Sequence, residues 1–440
     1  MRAVWEEEKR LEYYLKVEAA LARALAGLGK IPAEAADAIE AKANTSDVRL
    51  GRVREIEAET KHDVMAVVKA LSEQCGEAGK YVHLTATSYD IVDTAQAIQL
   101  REALQIILRK GRALLAALLE SAQKHEGLVM VGRTHGQHAL PITLGFKLAN
   151  YAEKLGSGVA NLEWDAQHLV QGKFSGAVGT YSAQKIAGTQ GTQLEELIMQ
   201  ELGLAPAPIS TQVVGRENIA RILCDVAILA GTLEQVAKEV RNLQRTEIAE
   251  VSEPFAAGQV GSSTMAQKKN PWESENVCSN ARVVRSCILP ALEDIALEHE
   301  RDLTNSAAER SVLPTAFLLV DDMLDRMKKI VSGLVVFPEN MRRNLELTGG
   351  AIMAEAVITE LVKKGIGRQE AHEVLRTASH EAMSKGHKLK NVLLENEMLS
   401  GRLSAGEMDV LFDYDAYTGQ AVGKTREVVA KWSGYLRERQ

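Results

Sequence analysis

Proline is scarce and unevenly spaced in this 440-residue chain, and its distribution is the strongest restriction on what the chain can fold into. There are nine prolines, with none between Pro32 and Pro141 and none after Pro338. Proline breaks the interior of a helix because it lacks a backbone donor and clashes with the preceding turn. The proline-free stretches therefore leave room for very long helices.

Apolar residues in these stretches recur in steps of three and four, the spacing of one helix face. Two such stripes last about three heptads each, which is typical of helix bundles and coiled coils. No convincing segment of alternating polarity competes with them. We therefore predict an all-α protein built on a bundle of long helices. The stripes are Ile222, Val226, Leu229, Leu233, Val236, Val240 and Leu243, and Leu100, Leu104, Ile107, Leu114 and Leu118 with Gly111 in the missing position.

Breaks in the helical pattern divide the chain into three predicted domains. Residues 1–93 would form an N-terminal helical domain, 94–345 the central bundle of long helices, and 346–440 a smaller C-terminal helical domain. Segments rich in Gly, Ser and Pro interrupt the central part at 132–141, 205–215 and 254–271. Loops that interrupt a rigid scaffold commonly carry functional residues, so we expect the catalytic or binding residues in these segments.

Charge and composition exclude several classes of protein. The net charge of -7 lacks the basic excess expected of a nucleic-acid coat or a membrane-surface protein. No apolar run reaches the ~18 residues that span a bilayer, and the N-terminus has no apolar signal core. The four cysteines form no CxxC pair, as expected of idle thiols in a reducing compartment. We expect a soluble, cytoplasmic protein.

The first candidate segment is 132–138, which reads GRTHGQH. His135 and His138, three positions apart, could ligate a metal on one helix face, although no partner carboxylate or thiolate follows at a familiar spacing. A structural hydrogen-bonding role for both is a second interpretation. The third is a general acid flanked by an arginine and a threonine, since imidazole transfers protons near neutral pH.

The second candidate segment is 258–275, which reads GQVGSSTMAQKKNPWESE. Its glycines and small hydroxyl residues predict a mobile loop. The residues that follow, Lys268, Lys269 and Asn270, can bind carboxylates by charge and hydrogen bonds. A solvated surface loop is the plain alternative. A phosphate-binding loop of nucleotide hydrolases is disfavoured, because the GxxxxGK[ST] spacing is absent.

The third candidate segment is 300–310, which reads ERDLTNSAAER. Arg301 and Arg310 are nine positions apart and do not share one helix face, so a break near Asn305 would let both point inward. Alternating charge is otherwise typical of a solvated helix face. With Ser306 between them, the two arginines could form an anion site without a basic excess in the whole protein.

At these residues the chain resembles the fumarase/aspartase superfamily, all-α homotetrameric lyases that release fumarate. The superfamily loop pattern GSSxMPxKxN is matched at 261–270 by GSSTMAQKKN. Ala266 stands where proline is usual. Because proline would stiffen the loop, this departure concerns the loop's dynamics more than its chemistry.

Within the superfamily, segments spread over nearly the whole chain resemble the adenylosuccinate lyase family. Gln267–Asn270 is instead closer to the loop of argininosuccinate lyases, which remain the alternative. Adenylosuccinate lyases also carry an Arg-Tyr pair, before the segment that resembles 1–8, that helps hold the substrate phosphate. The sequence begins after that pair, so either its start is incomplete or Arg301, Ser306 and Arg310 do more of the phosphate binding. The resembling segments are 61–66, 87–90 with 93–95, 210–212, 300–314 and 336–341.

The resemblance implies β-elimination of fumarate from a succinyl arm, with no cofactor and no metal. Ser262 would act as the base in its alkoxide form, and His135 would protonate the departing nitrogen, oriented by Glu275. His62 would position the substrate and share in proton transfer. The substrate-binding residues would be Thr87, Ser88, Thr134, Lys268 and Asn270 for the succinyl carboxylates, Gln212 for the succinyl or ring portion, and Arg301, Ser306 and Arg310 for the phosphate, with Asp90 in the same set.

The substrate implied is a succinyl-purine nucleotide: adenylosuccinate, giving AMP, and SAICAR, giving AICAR. The partner implied is the chain itself, as a homotetramer whose active sites combine segments from three subunits, with no nucleic acid or membrane partner. Three alternatives stay open. They are another superfamily elimination such as argininosuccinate cleavage, a non-catalytic helical scaffold, and a metal-dependent hydrolase that uses His135 and His138.

Overall fold

The computed structural model describes residues 1–256, 258–396, 399 and 401–439. The described residues form eighteen α-helices and three short 3-10 turns, Arg2–Trp5, Gly76–Tyr81 and Ala351–Met353. The helices are α1 Glu7–Gly27, α2 Ala33–Lys42, α3 Leu50–Thr60, α4 Asp63–Gln74, α5 Ser88–Lys124, α6 Leu144–His168, α7 Ser182–Ile186, α8 Gly191–Leu202, α9 Glu217–Leu243, α10 Trp272–Ser286, α11 Ile288–Glu293, α12 Thr304–Ser332, α13 Pro338–Glu346, α14 Ala354–Lys363, α15 Arg368–Lys385, α16 Leu389–Leu394, α17 Ala405–Leu411 and α18 Ala421–Arg437.

The prediction of an all-α protein with long helices is confirmed. Helix α5 runs for 37 residues and α9 for 27, and every residue of the two predicted apolar stripes is buried. Gly111 fills the gap in the α5 stripe because α6 passes close by. A Cβ at this position would lie 2.7 Å from Cγ2 of Val159. The stripe is thus interrupted where the two helices need the space.

Short strands account for the rest of the regular structure of the described residues, and the longest pair lacks the alternating polarity that predicts strands. β1 Val129–Thr134 and β2 Gln137–Thr143 form an antiparallel hairpin with an irregularity between Val131 and Arg133. The segment that carries both candidate histidines is therefore a hairpin and not a helix. The remaining strands form two-residue pairs: β3 Gln171–Gly172 is parallel to β4 Ala205–Pro206, and β5 Val251–Ser252 is antiparallel to β6 Val335–Val336.

The chain forms two compact units that do not follow the linear order of the sequence. Unit 1 comprises residues 1–111, 158–231 and 279–324, and unit 2 comprises 112–157, 232–278 and 325–440. Unit 1 has a core around α1, α4 and α8, including Leu15, Leu71 and Ile198. In unit 2, one apolar cluster includes Leu361 and Leu375 on α14 and α15. The three-domain division by sequence stays a prediction.

In the described ranges, none of the helices combines the length and apolar character needed to cross a lipid bilayer.

Candidate active site

A cavity of about 480 Å³ in unit 1 gathers most of the predicted substrate-binding residues of that unit. Its walls come from α1, the end of α3 and the α3–α4 connection, the start of α5, and the loop before α12 with the first turns of that helix. Five predicted residues line it: His62, Ser88, Arg301, Ser306 and Arg310. The stretches that supply them lie more than two hundred positions apart in the sequence, so their convergence is a product of the fold.

The two arginines reach this cavity because the chain changes structure between them. α12 begins at Thr304, so Arg301 lies in the preceding loop and Arg310 on the helix. This is the break that the sequence predicted near Asn305. The Arg301 guanidinium lies 3.6 Å above the ring of Tyr89 and donates to Oε1 of Gln212 over 2.7 Å. Its Nε atom is buried and has no hydrogen-bond partner.

A buried ion cluster holds the helices that form this cavity. Arg216, which directly precedes α9, donates to both carboxylate oxygens of Asp93 on α5, over 2.8 and 3.0 Å. Its Nε donates to Glu309 on α12 over 2.7 Å. Burial acts to lower the pKa of Arg216, but the two carboxylates outweigh it and raise that pKa. One guanidinium therefore joins three helices at the edge of the site.

Asp90 is placed differently from the role predicted for it. It is fully buried and accepts the backbone N–H of Thr87 over 2.9 Å and that of Gly176 over 3.2 Å. It also pairs with Lys173, which is fully buried as well. A substrate cannot reach a carboxylate enclosed in this way. The contacts of Asp90 instead hold Thr87 just before α5, and with it the start of that helix at Ser88.

His62 caps the N-terminus of α4. Its Nδ1 accepts the backbone N–H of Met65 over 3.3 Å, and its side chain is 47% exposed. Capping a helix with a histidine ring leaves the other nitrogen of the ring free to face the cavity that His62 lines. This arrangement suits a residue that positions a ligand.

In unit 2, His135 lies at the tip of the β1–β2 hairpin. Thr134 pairs with Gln137, so His135 and Gly136 form a two-residue turn in which both have positive φ, 53° and 75°. Such turns follow the twist of a hairpin but normally use Asn or Gly at the first position, so a histidine there is strained. Strained residues of this kind cluster at functional sites. Thr134 and His135 are exposed.

The hairpin is anchored by a charge pair that the sequence did not reveal. Arg133 donates from both terminal nitrogens to the two oxygens of Glu250, each over 2.8 Å. Glu250 is fully buried and also accepts from Nδ2 of Asn344 over 2.8 Å. A bidentate pair of this kind restrains direction as well as distance. The base of the hairpin is therefore held rigidly behind the exposed His135.

The two histidines of this segment do not form a metal-binding helix face. Arg133 pairs with His138 across the hairpin, and Nδ1 of His138 is buried without a hydrogen-bond partner. Burial, with the adjacent Arg133 guanidinium, lowers the pKa of His138. Among the described residues, no group of three or more His, Cys, Asp or Glu side chains is arranged to hold a metal ion.

The loop that carries Ser262 is folded back on itself. Oγ of Ser262 accepts the backbone N–H of Thr264 over 3.3 Å and that of Met265 over 3.1 Å. Asn270 closes the loop by donating from Nδ2 to the carbonyl of Gly261 over 2.9 Å. A Cβ on Gly261 would lie 2.1 Å from the carbonyl oxygen of Lys268, so only glycine fits there. Contacts within residues 261–270 therefore determine the conformation of the loop around Ser262.

A second cavity, of about 940 Å³, opens beside this loop in unit 2. Lys268, Asn270 and Glu275 line it, together with Arg241 near the end of α9 and Arg245 just after that helix. Glu275 lies in the first turn of α10, and its carboxylate is 4.0 Å from Arg241. Among the described residues of one chain, Glu275 does not contact His135, the residue that it was predicted to orient.

Several residues that shape the site had no recognisable sequence pattern. Glu250, Arg216 and Lys173 are single charged residues whose partners lie 117, 93 and 83 positions away in the sequence. A charged residue inside an apolar stretch of sequence indicates a buried charge. It does not show which distant residue that charge pairs with.

Comparisons with known proteins cover the whole chain. Residues 1–286 match a family described as Lyase, and residues 350–428 match one described as Adenylosuccinate lyase C-terminus. Proteins named adenylosuccinate lyase from Pyrococcus abyssi and Methanothermobacter thermautotrophicus are 48% and 46% identical. The alignments cover 100% and 98% of this chain and 96% and 97% of those proteins.

Solved structures agree with this likeness. A fumarate lyase from Mesorhizobium sp. BNC1 superposes with a TM-score of 0.90 at 32% identity, covering 98% of this chain and 97% of that one. A 3-carboxy-cis,cis-muconate lactonizing enzyme from Pseudomonas putida gives the same TM-score and identity, with 99% and 97% covered. The fold is thus shared with enzymes of more than one reaction type.

Proposed function

Because the chain belongs to the adenylosuccinate lyase family, we propose that it eliminates fumarate from adenylosuccinate to give AMP. By the same chemistry it converts SAICAR to AICAR in purine biosynthesis. Both substrates carry a succinyl group on nitrogen, and both lose it by breaking a carbon–nitrogen bond. The observation that carries the proposal is the Ser262 loop, in which two backbone N–H groups point at the serine oxygen.

Ser262 is the base that removes the proton beside a substrate carboxylate. A serine hydroxyl is weakly acidic, so its alkoxide needs strong local stabilisation. The N–H groups of Thr264 and Met265 supply part of it, since preorganised donors aimed at an oxygen favour its anionic form. Lys268, six positions further along the loop, adds a positive charge when the loop closes over the substrate.

His135 is the general acid that gives its proton to the departing nitrogen. Its exposed position on a rigid hairpin suits a group that must meet a substrate. Glu275 orients it, and a carboxylate beside an imidazole favours the charged imidazolium. His62 positions the substrate and shares in proton transfer.

The remaining predicted residues bind the substrate's negative charges. The succinyl carboxylates, where charge builds up in the transition state, are held by Thr87, Ser88, Thr134, Lys268 and Asn270. Gln212 is held by Arg301 and contacts the succinyl or ring portion. Arg301, Ser306 and Arg310 bind the phosphate, in a cavity with room for it. Asp90 is a positioning residue for Thr87 and Ser88.

The working enzyme is a cytoplasmic homotetramer with shared active sites. Pairing of His135 with Glu275 then takes place between copies of the chain. Exposed apolar side chains on the long helices support self-association, because a second copy can cover them. Trp164 on α6 is 43% exposed, Val283 on α10 is 44% exposed, and Leu318 on α12 is 36% exposed.

The test is a side-by-side assay of fumarate release from adenylosuccinate and from argininosuccinate. We expect release from adenylosuccinate alone, and Ser262→Ala should lower kcat at least about 10³-fold. Ser263→Ala is the matched control, because it removes the neighbouring hydroxyl of the same loop and should leave most of the activity.

Other outcomes separate the alternatives. Release from argininosuccinate alone would mean that residues 267–270 indicate the substrate better than the rest of the chain. An unaffected Ser262→Ala enzyme would remove the proposed base. Absence of fumarate from both substrates, with a folded tetramer, would overturn the proposed function and favour a scaffold role.

A further inference from the structure

An arginine and a tyrosine on α1 face the cavity that holds Arg301, Ser306 and Arg310. Arg10 and Tyr14 are four positions apart, so they lie on the same face of the helix. Both line the cavity of unit 1. The sequence alone does not indicate this placement, since a Lys-Arg pair at the start of a charged helix is usually solvated.

Their polar groups lack protein partners. Apart from the backbone hydrogen bonds of α1 and α12, such as that from Arg10 to Glu6, the guanidinium groups of Arg10 and Arg310 make no hydrogen bond or ion pair among the described residues. The hydroxyl of Tyr14 makes no hydrogen bond there either. Nε of Arg301 is buried without a partner. This differs from Arg216 nearby, whose guanidinium is bound to two carboxylates. Positive groups without a direct partner that are gathered in one cavity repel each other, and an anion between them would relieve the repulsion.

The acidic residues of the same cavity do not neutralise these arginines. Glu309 is occupied by Arg216 and by Nδ2 of Asn305, over 2.7 and 2.9 Å. Asp63 accepts the backbone N–H of Val64 over 2.8 Å at the start of α4. Glu57 is exposed to solvent. Lys61 adds a further positive charge to the lining.

The tyrosine is suited to donate a hydrogen bond here. Tyr14 is 8% exposed, and burial raises the pKa of its hydroxyl, only partly offset by Arg10. The hydroxyl therefore keeps its proton at neutral pH and can donate to an oxyanion. A phosphate has three terminal oxygens, which can accept from several guanidinium N–H groups and a hydroxyl at once.

We propose that Arg10 and Tyr14 bind the phosphate of the substrate, together with Arg301, Ser306 and Arg310. The inference rests on the proposed function, which supplies the phosphorylated substrate. It assigns to α1 a direct part in substrate recognition. A succinyl carboxylate of the substrate could occupy the same positive groups, and a substrate that lacks the phosphate distinguishes the two.

The experiment compares adenylosuccinate with succinyladenosine, which has the same reacting groups but no phosphate. Arg10→Ala should raise KM for adenylosuccinate about 10-fold or more, with kcat little changed, because a charge-assisted contact of the bound state is lost. For succinyladenosine, KM should not change. Tyr14→Phe keeps the ring and should give a smaller rise, about 3- to 10-fold. Arg10→Lys keeps the positive charge, so its KM for adenylosuccinate should lie between those of the wild type and Arg10→Ala.

The control variant is Lys9→Ala. Lys9 is the neighbour of Arg10 on α1, and it pairs with Glu12 away from the cavity lining. It should leave KM for both substrates unchanged. Calorimetric titration with AMP gives a second measurement that needs no turnover, and Arg10→Ala should weaken AMP binding by a similar factor.

The outcomes are separable. An equal rise in KM for both substrates would assign Arg10 to the succinyl group and overturn the proposal. An unchanged Arg10→Ala enzyme would overturn it while leaving the proposed function intact. If the wild-type enzyme releases no fumarate, the proposed function fails, and AMP titration alone then decides whether this anion site exists.

Discussion

At the scale of single residues, a buried carboxyl group on α6 stands out because it has no adequate partner. Asp165 is fully buried, and neither of its oxygens has a hydrogen-bond donor in the protein. Burial, with the neighbouring Asp225 on α9, raises the pKa of Asp165 to about 7. Arg221 offsets this only in part, since its Nε is 3.6 Å away and its side chain is 57% exposed. Asp165 should therefore hold a proton at mildly acidic pH.

This carboxyl group should make stability depend on pH. An unfolded aspartate ionises near pH 4, so between about pH 4 and pH 7 the unfolded chain loses a proton that folded Asp165 keeps. The free energy of unfolding therefore falls as the pH rises through that window, and the loss due to Asp165 is constant above pH 7. Asp165→Asn removes the cost and should stabilise the protein by about 1–2 kcal/mol at pH 8, with a smaller gain at pH 5.

Thermal unfolding at the two pH values measures the effect. The exposed Asp37→Asn variant serves as the control and should show no such dependence. An Asp165→Asn protein that is less stable than the wild type at pH 8 would mean that the carboxylate is ionised and well solvated in the folded state.

At the scale of elements, the Ser262 loop is shaped by a turn that lacks its usual proline. The backbone N–H of Lys268 donates to the carbonyl of Met265 over 3.1 Å, which closes a four-residue turn. Ala266 is the second residue of this turn, the position that favours proline. The superfamily pattern has proline at this point, so the alanine leaves the turn formed but less restricted.

Ala266→Pro should stiffen the loop without changing its fold, because the N–H of Ala266 makes no hydrogen bond in the described structure. We expect slower backbone hydrogen exchange at 261–270 and a local stabilisation of about 0.4–1 kcal/mol. Ala266→Gly should act in the opposite direction. Faster exchange in Ala266→Pro would show that the turn has a backbone angle that proline cannot adopt.

At the scale of the whole molecule, the two segments that we propose to be catalytic belong to one chain, and we propose that they work in different copies. Both the hairpin of His135 and the loop of Ser262 are held by contacts within their own chain. Each copy can therefore supply either segment intact. This independence is what a shared active site requires.

Mixing two inactive variants tests the sharing of sites. Tetramers assembled from His135→Ala and Ser262→Ala chains should recover activity, because some sites combine the intact segment from each variant. Each variant refolded alone is the control and should stay inactive. No recovery in verified mixed tetramers, or full activity in a monomeric fraction from size-exclusion chromatography, would contradict shared sites.

The sequence by itself determined the helical class, the loop that carries Ser262, and the inward placement of the two arginines, Arg301 and Arg310, that line the cavity of unit 1. These features are local. A helix that buries one face must repeat apolar residues every three or four positions, and the turn that follows Ser262 depends on contacts within ten residues. The break before Asn305 was likewise visible, because two inward arginines nine apart do not fit one helix face.

Only the tertiary structure revealed the hairpin under His135, the burial of Asp90, and the place of Arg10 in the cavity. The hairpin turn uses a histidine where Asn or Gly is expected, so its sequence lacks the usual indication. The other two depend on partners far along the chain, as Asp90 and Lys173 show, 83 positions apart. The spacing of residues in the sequence predicts only which residues of one helix or strand lie on the same face. Which charged groups meet is determined when distant elements pack, and that depends on the fold as a whole.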